Sequence, residues 1–110
     1  MQIAQSKVNE INVIGVSGRL DIKYAQELEN HILDLLKQDE KQLVINLEKL
    51  EFISSSGLRV LLFTAKQINR LNGKLALCGL KERVKETFDM VGFTALFNIY
   101  ADEKSATSNL

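Results

Sequence analysis

Apolar and β-branched residues occupy alternate positions through residues 11–17, INVIGVS, which predicts a strand that Gly18 breaks. Residues 3–8 predict a weaker strand, joined to it as a hairpin through a turn at Asn9 and Glu10. The period then lengthens. Ala25, Leu28, Ile32, Leu35 and Leu36 recur at helical spacing behind a capping Asp21, and the stripe ends near Gln38. Residues 42–47, QLVINL, form a short apolar run between charged segments, as expected of a central strand buried on both faces. Residues 48–53 read as a loop. After a serine run, Leu58, Leu61, Leu62, Ala65 and Ile68 define a second helix that closes at Asn72 and Gly73. KLALC at residues 74–78 is a further strand, and residues 82–91 are a third helix with Val84, Thr87, Phe88 and Val91 on one side. Residues 96–100 complete the pattern as an edge strand. In the tail, Asp102 is placed to cap a short helix docking Ala106 and Leu110, with fraying as the alternative.

Strands alternating with helices become a mostly parallel sheet once right-handed crossovers connect them. The expected fold is therefore α/β, a single domain over residues 1–110 with a mixed sheet of four to five strands and helices packed on it. A chain of 110 residues is long enough to bury a core without covalent staples. The one cysteine, Cys78, cannot form an internal disulfide, which points to a reducing compartment. No leader and no spanning apolar run are visible, so a cytoplasmic location without direct membrane insertion is expected.

Fourteen basic residues balance fourteen acidic ones, with no basic cluster, which argues against nucleic acid as a partner. Catalytic chemistry finds little support. Ser56 lacks a Gly-x-Ser-x-Gly elbow, and the only histidine, His31, lies in the first helix without an evident partner. Cys78 sits in an apolar strand, no His or Cys pair has ligand spacing, and no Gly-rich phosphate loop is present. No metal or cofactor is expected, and no enzymatic activity.

The informative segment is LEFISSSGLRVLL, residues 50–62, where Ser54, Ser55 and Ser56 stand between a strand and an apolar helix. One serine there is readily an N-cap, worth about 1 kcal/mol. Three invite a second reading, because hydroxyls at a helix start lie beside unpaired N–H groups and the positive end of the helix dipole. A phosphoserine would add roughly two negative charges without melting the helix. Gly57 would leave the backbone uncovered at that point.

This segment resembles the signature of the STAS domain family, the anti-sigma factor antagonists of bacterial partner-switching systems, whose usual form is Asp-Ser-Ser-Gly-Leu. The resemblance extends along the chain: GRLD at residues 18–21, LVINLEKLEFI, NGKLALCGL and VGFTALFNIY each resemble a family segment. It implies a stand-alone antagonist that binds an anti-sigma factor, itself an ATP-dependent serine kinase, and so frees a sigma factor. Phosphorylation releases the antagonist, and a PP2C-type phosphatase restores it. The phosphorylated residue implied is Ser56, with Ser55 and Ser54 as lesser candidates. Two departures stand out: Ser54 replaces the motif aspartate, and Asn46 stands where the central strand often carries another, removing two negative charges near the switch.

The expected partner surface comprises Gly18, Asp21, Ser54, Ser55, Ser56, Gly57, Arg59, Val60 and Phe63, the last two as an apolar contact flanked by Arg59 and Lys66. Against this, a broad sheet-facing side would bury Val60 and Phe63, and Asp21 would be only a cap. Other readings are a non-switching STAS subunit of a membrane transport complex, or a partner-switch regulator of a non-sigma output.

Overall fold

The computed structural model describes residues 2–110. Its elements follow in the order β1 (Gln2–Val8), β2 (Ile11–Leu20), α1 (Ile22–Lys37), β3 (Gln42–Asn46), β4 (Leu50–Ile53), α2 (Ser55–Arg70), β5 (Lys74–Cys78), α3 (Glu82–Met90), β6 (Ile99–Tyr100) and α4 (Glu103–Ser108). The sheet order is β1-β2-β3-β5-β6, with β4 pairing β2 off this path. Among the described residues only β1 and β2 run antiparallel, as the hairpin through Asn9 and Glu10; the other pairs are parallel. The α/β class follows directly, with six strands where four to five were expected.

The pleat sorts the core. Ile14, Ile45 and Leu77 point to one face, where they pack with Ala25, Leu28, Leu61, Val84 and Phe88 from the three longer helices. Val13, Val44, Ala76 and Cys78 point to the other, which Ala106 of α4 covers. The middle strand β3 is thus apolar at successive positions because both of its faces are enclosed.

Four sequence expectations need correction. Gly18 does not end its strand: at φ 88° it introduces a bulge, and β2 continues to Leu20 in a shifted register. The expected loop at residues 48–53 contains β4, which pairs with that continuation, Leu20 opposite Ile53. Four residues with Glu51 exposed between them carry too short a pattern to be read as a strand. Val91 lies past the end of α3 and is half exposed rather than packed with Val84 and Phe88. The last strand shrinks to Ile99–Tyr100, because Phe93–Ala95 turn as a 3₁₀ helix and Phe93 and Phe97 pack on Phe88. The tail resolves in favour of the helix: Asp102 accepts the Ser105 N–H at 2.8 Å, and Ala106 is fully buried.

Candidate functional site

The bulge at Gly18 determines where the serines lie. Gly18 donates its N–H to Lys49 at 2.9 Å, and Leu20, two residues on, accepts the Ser54 N–H at 2.9 Å. The start of α2 is thereby fastened beside the start of α1. Gly18, Asp21 and the three serines, separated by more than thirty positions in the chain, form one end of the molecule.

Within the serine run the roles divide. Ser54 has extended backbone and is the N-cap: its Oγ accepts the Gly57 N–H at 3.2 Å, and its carbonyl accepts the Leu58 N–H at 3.0 Å. Ser55 and Ser56 form the first turn of α2, Ser55 exposed and Ser56 half-buried. Their hydroxyls have no hydrogen-bond partner among the described residues. No acidic residue stands in that turn. Arg59, exposed, follows Ser55 by one helical turn, and helical side chains lean toward the N-terminus, so it adds positive charge beside the serines.

Two residues expected at the partner surface belong to the core. Val60 is 2 % exposed, because α2 buries a wider face than the simple stripe, including Gly57, Leu58, Val60, Leu61 and Thr64. Gly57 does not uncover the backbone; a Cβ there would lie 2.8 Å from Ile53 Cγ1 and 2.9 Å from Leu20 Cγ. Its missing side chain lets α2 approach the β2–β4 pair. Phe63 is half-buried and Arg59 free. Asp21 acts as a cap, its Oδ1 accepting the Tyr24 N–H at 3.2 Å.

Three surface residues escaped the sequence reading. The Arg19 guanidinium lies 4.3 Å over the Phe52 ring, joining the bulged end of β2 to β4. Ile22 is 76 % exposed on the first turn of α1, although its spacing of three from Ala25 suggests burial. Only the pairing of β2 with β4 sets Arg19 against Phe52, in the strand from which the serine run departs.

Asn46 has a different role from the one its motif position suggests. It faces α4, on the sheet face opposite α2: its Nδ2 donates to Glu103 Oε1 at 3.1 Å and its Oδ1 accepts the Glu48 N–H at 3.0 Å. Cys78 is fully buried on that same face, its thiol pushed up to about 11 by burial and then by Glu103, Glu48 and Asp102. Among the described residues no cluster of His, Cys, Asp and Glu is arranged to hold a metal ion. No helix among them is long and apolar enough to cross a membrane.

The STAS domain profile matches residues 2–106. This chain belongs to the STAS domain family. BtrV of Bordetella bronchiseptica, provisionally named an anti-sigma factor antagonist, is 32% identical over 108 residues, covering 98% of this chain and 93% of BtrV. The fold is shared with an anti-sigma factor antagonist candidate from Thermotoga maritima, with TM-score 0.93, 20% identity and coverage of 97% of this chain and 92% of that one. It is shared too with phosphorylated SpoIIAA, a Bacillus cell fate determinant, with TM-score 0.78, 20% identity and coverage of 99% and 100%. Unphosphorylated SpoIIAA gives TM-score 0.77 at 18% identity, with coverage of 98% and 96%. Within the family the chain falls with the anti-sigma factor antagonists, which are regulatory domains and not catalysts.

Proposed function

We propose that this STAS domain is the switched component of an anti-sigma partner switch. Unphosphorylated, it binds an anti-sigma factor that is also a serine kinase, using the Ser54–Ser56 turn together with Arg19, Ile22, Phe52 and Arg59. Phosphorylation of Ser56 releases it, and a PP2C-type phosphatase resets the cycle. The observation that carries this reading is the division of labour in the serine run. Ser54 alone caps α2, which leaves the Ser55 and Ser56 hydroxyls unengaged on a surface turn.

The physical argument concerns affinity rather than fold. A phosphate at the first turn of a helix meets the favourable end of the dipole, so the domain accommodates it. The same charge buried against a partner meets desolvation and like-charge repulsion, and each 1.4 kcal/mol lost is about tenfold in affinity. The near-equal likeness of this chain to phosphorylated and unphosphorylated SpoIIAA, at TM-scores 0.78 and 0.77, supports a switch that leaves the fold intact.

The test is intact-mass and peptide mapping of the protein from its native host, with and without phosphatase treatment. One phosphoryl group on Ser56 is the expected result. The map must separate Ser56 from the more exposed Ser55, and an unmodified protein in every growth condition would overturn the proposal.

A further inference from the structure

The edge of the sheet beyond β5 is only partly occupied. β6 pairs with Leu77 and Cys78 alone, leaving the first three residues of β5 without a neighbour on that side. The direction of the backbone groups follows from the ladder. Lys74 donates its N–H to Lys41 on the β3 side, Leu77 donates to Asn98 on the β6 side, and the groups alternate in parallel sheets. The N–H and C=O of Leu75 therefore face the gap, and no backbone group among the described residues pairs with them. An unpaired stretch of edge invites another strand.

A groove of about 600 Å³ lies along this gap. It wraps around the edge, from Leu62 and Lys66 on α2 at one face to Leu110 beyond α4 at the other, with Leu96 as a 58 % exposed apolar wall. That shape suits an extended chain, whose successive side chains turn to opposite faces. The groove's charge is one-sided. Lys66 and Lys74 line it, no lining side chain is acidic, and neither lysine forms an ion pair among the described residues. The side chains of the groove are therefore basic on a chain whose formal net charge is zero.

We propose that this groove is a second docking site, which takes an extended segment of a partner protein, with apolar residues alternating with Asp or Glu, as a strand added to β5. The backbone of Leu75 supplies the added ladder bonds, the apolar walls receive alternate side chains, and Lys66 and Lys74 meet the carboxylates. Lys66 stands ten residues along α2 from Ser56, roughly 15 Å at 1.5 Å per residue. A segment held here leaves the serine turn open to its own partner, and nothing in the proposal depends on phosphorylation.

The experiment is selection of a random displayed-peptide library on the whole protein, followed by synthesis of an enriched peptide. Enriched sequences should alternate apolar with acidic residues. On ¹⁵N-labelled protein the peptide should shift the amides of Lys74, Leu75 and Leu96 and slow exchange of the Leu75 N–H. Lys66→Glu/Lys74→Glu should weaken binding about tenfold or more, added salt should weaken it too, and Ser56→Asp should leave it unchanged. If the double reversal fails to fold by circular dichroism, Lys66→Gln/Lys74→Gln takes its place with the same sign of effect. Absence of enrichment, enriched peptides without acidic bias, or a footprint on the β1 edge or the serine turn would overturn the proposal.

Discussion

Asn46 at the end of β3 donates an amide hydrogen to the Glu103 carboxylate at 3.1 Å, across 57 residues of chain. This bond secures α4 over the second face of the sheet. Asn46→Asp would set two carboxylates against each other and raise the pKa of at least one. We expect a loss of about 1 kcal/mol near neutral pH, shrinking as the medium is acidified and the pair takes up a proton. Urea denaturation at two pH values measures it; equal stability of variant and wild type at both would show that the contact carries no weight.

Ser54 offers a separable test of capping. Its Oγ satisfies the Gly57 N–H at 3.2 Å, so Ser54→Ala should lower stability by about 1 kcal/mol. Ser54→Asp restores the charge of the family motif and keeps the acceptor, next to the positive end of the helix dipole. Its stability should equal or exceed that of wild type. Thermal and chemical denaturation of the pair reads both signs.

Gly57→Ala tests the close approach of α2 to the sheet. With Ile53 Cγ1 at 2.8 Å and Leu20 Cγ at 2.9 Å from the new Cβ, overpacking should cost about 1–3 kcal/mol despite the better helix propensity of alanine. A variant as stable as wild type would show that the contact relaxes freely.

Acid stability should report on Glu40. Its carboxyl is held below the ordinary 4.5, first by the Lys7 ammonium at 2.9 Å and next by the amide of the buried Asn12. A carboxylate with a depressed folded pKa stabilises the fold above its unfolded value, and that contribution fades as pH falls through the folded one. Glu40→Gln should flatten the stability profile below about pH 4.5 and change it little between there and neutrality, apart from a constant offset. Lys7, raised above 10.5 by the same bond, contributes below that value, and its share is lost as pH rises through its folded pKa. An unchanged acid limb in Glu40→Gln would assign the slope to other groups.

The Cys78 thiol should be inert in the folded protein. It is fully buried beside Ala106 and pushed up to about 11, so almost no thiolate exists at neutral pH. Labelling by a thiol reagent should be slow in buffer and complete in denaturant. Ala106→Glu, which places a charge beneath α4, should accelerate labelling while β1 to α3 stay folded. Fast labelling of the wild type would contradict the packing of that helix.

What could be read from the chain and what could not divide along physical lines. The stripe from Ala25 to Leu35, the apolar runs of β3 and β5 and the cap at Asp21 are local patterns, and each formed where it was expected. The bulge at Gly18 and the strand β4 were not legible, and the chain alone left Val60 open between the partner surface and a broad buried face. Each depends on a residue far along the chain: Lys49 for Gly18, Leu20 for Ile53, and the breadth of the packed face for Val60.

The sequence by itself determined the α/β class, the family signature around Ser54 to Gly57, and a serine run at the head of a helix, because periodicity and capping are short-range preferences. The tertiary structure decided which serine caps and which are free, and that Asn46 bonds α4 on the sheet face opposite α2. Those outcomes follow from parallel pairing, which joins distant segments in a register that no local pattern encodes. The meeting of Arg19 with Phe52, and of the Leu20 carbonyl with the Ser54 N–H, exists only once β2, bent at Gly18, has paired with β4.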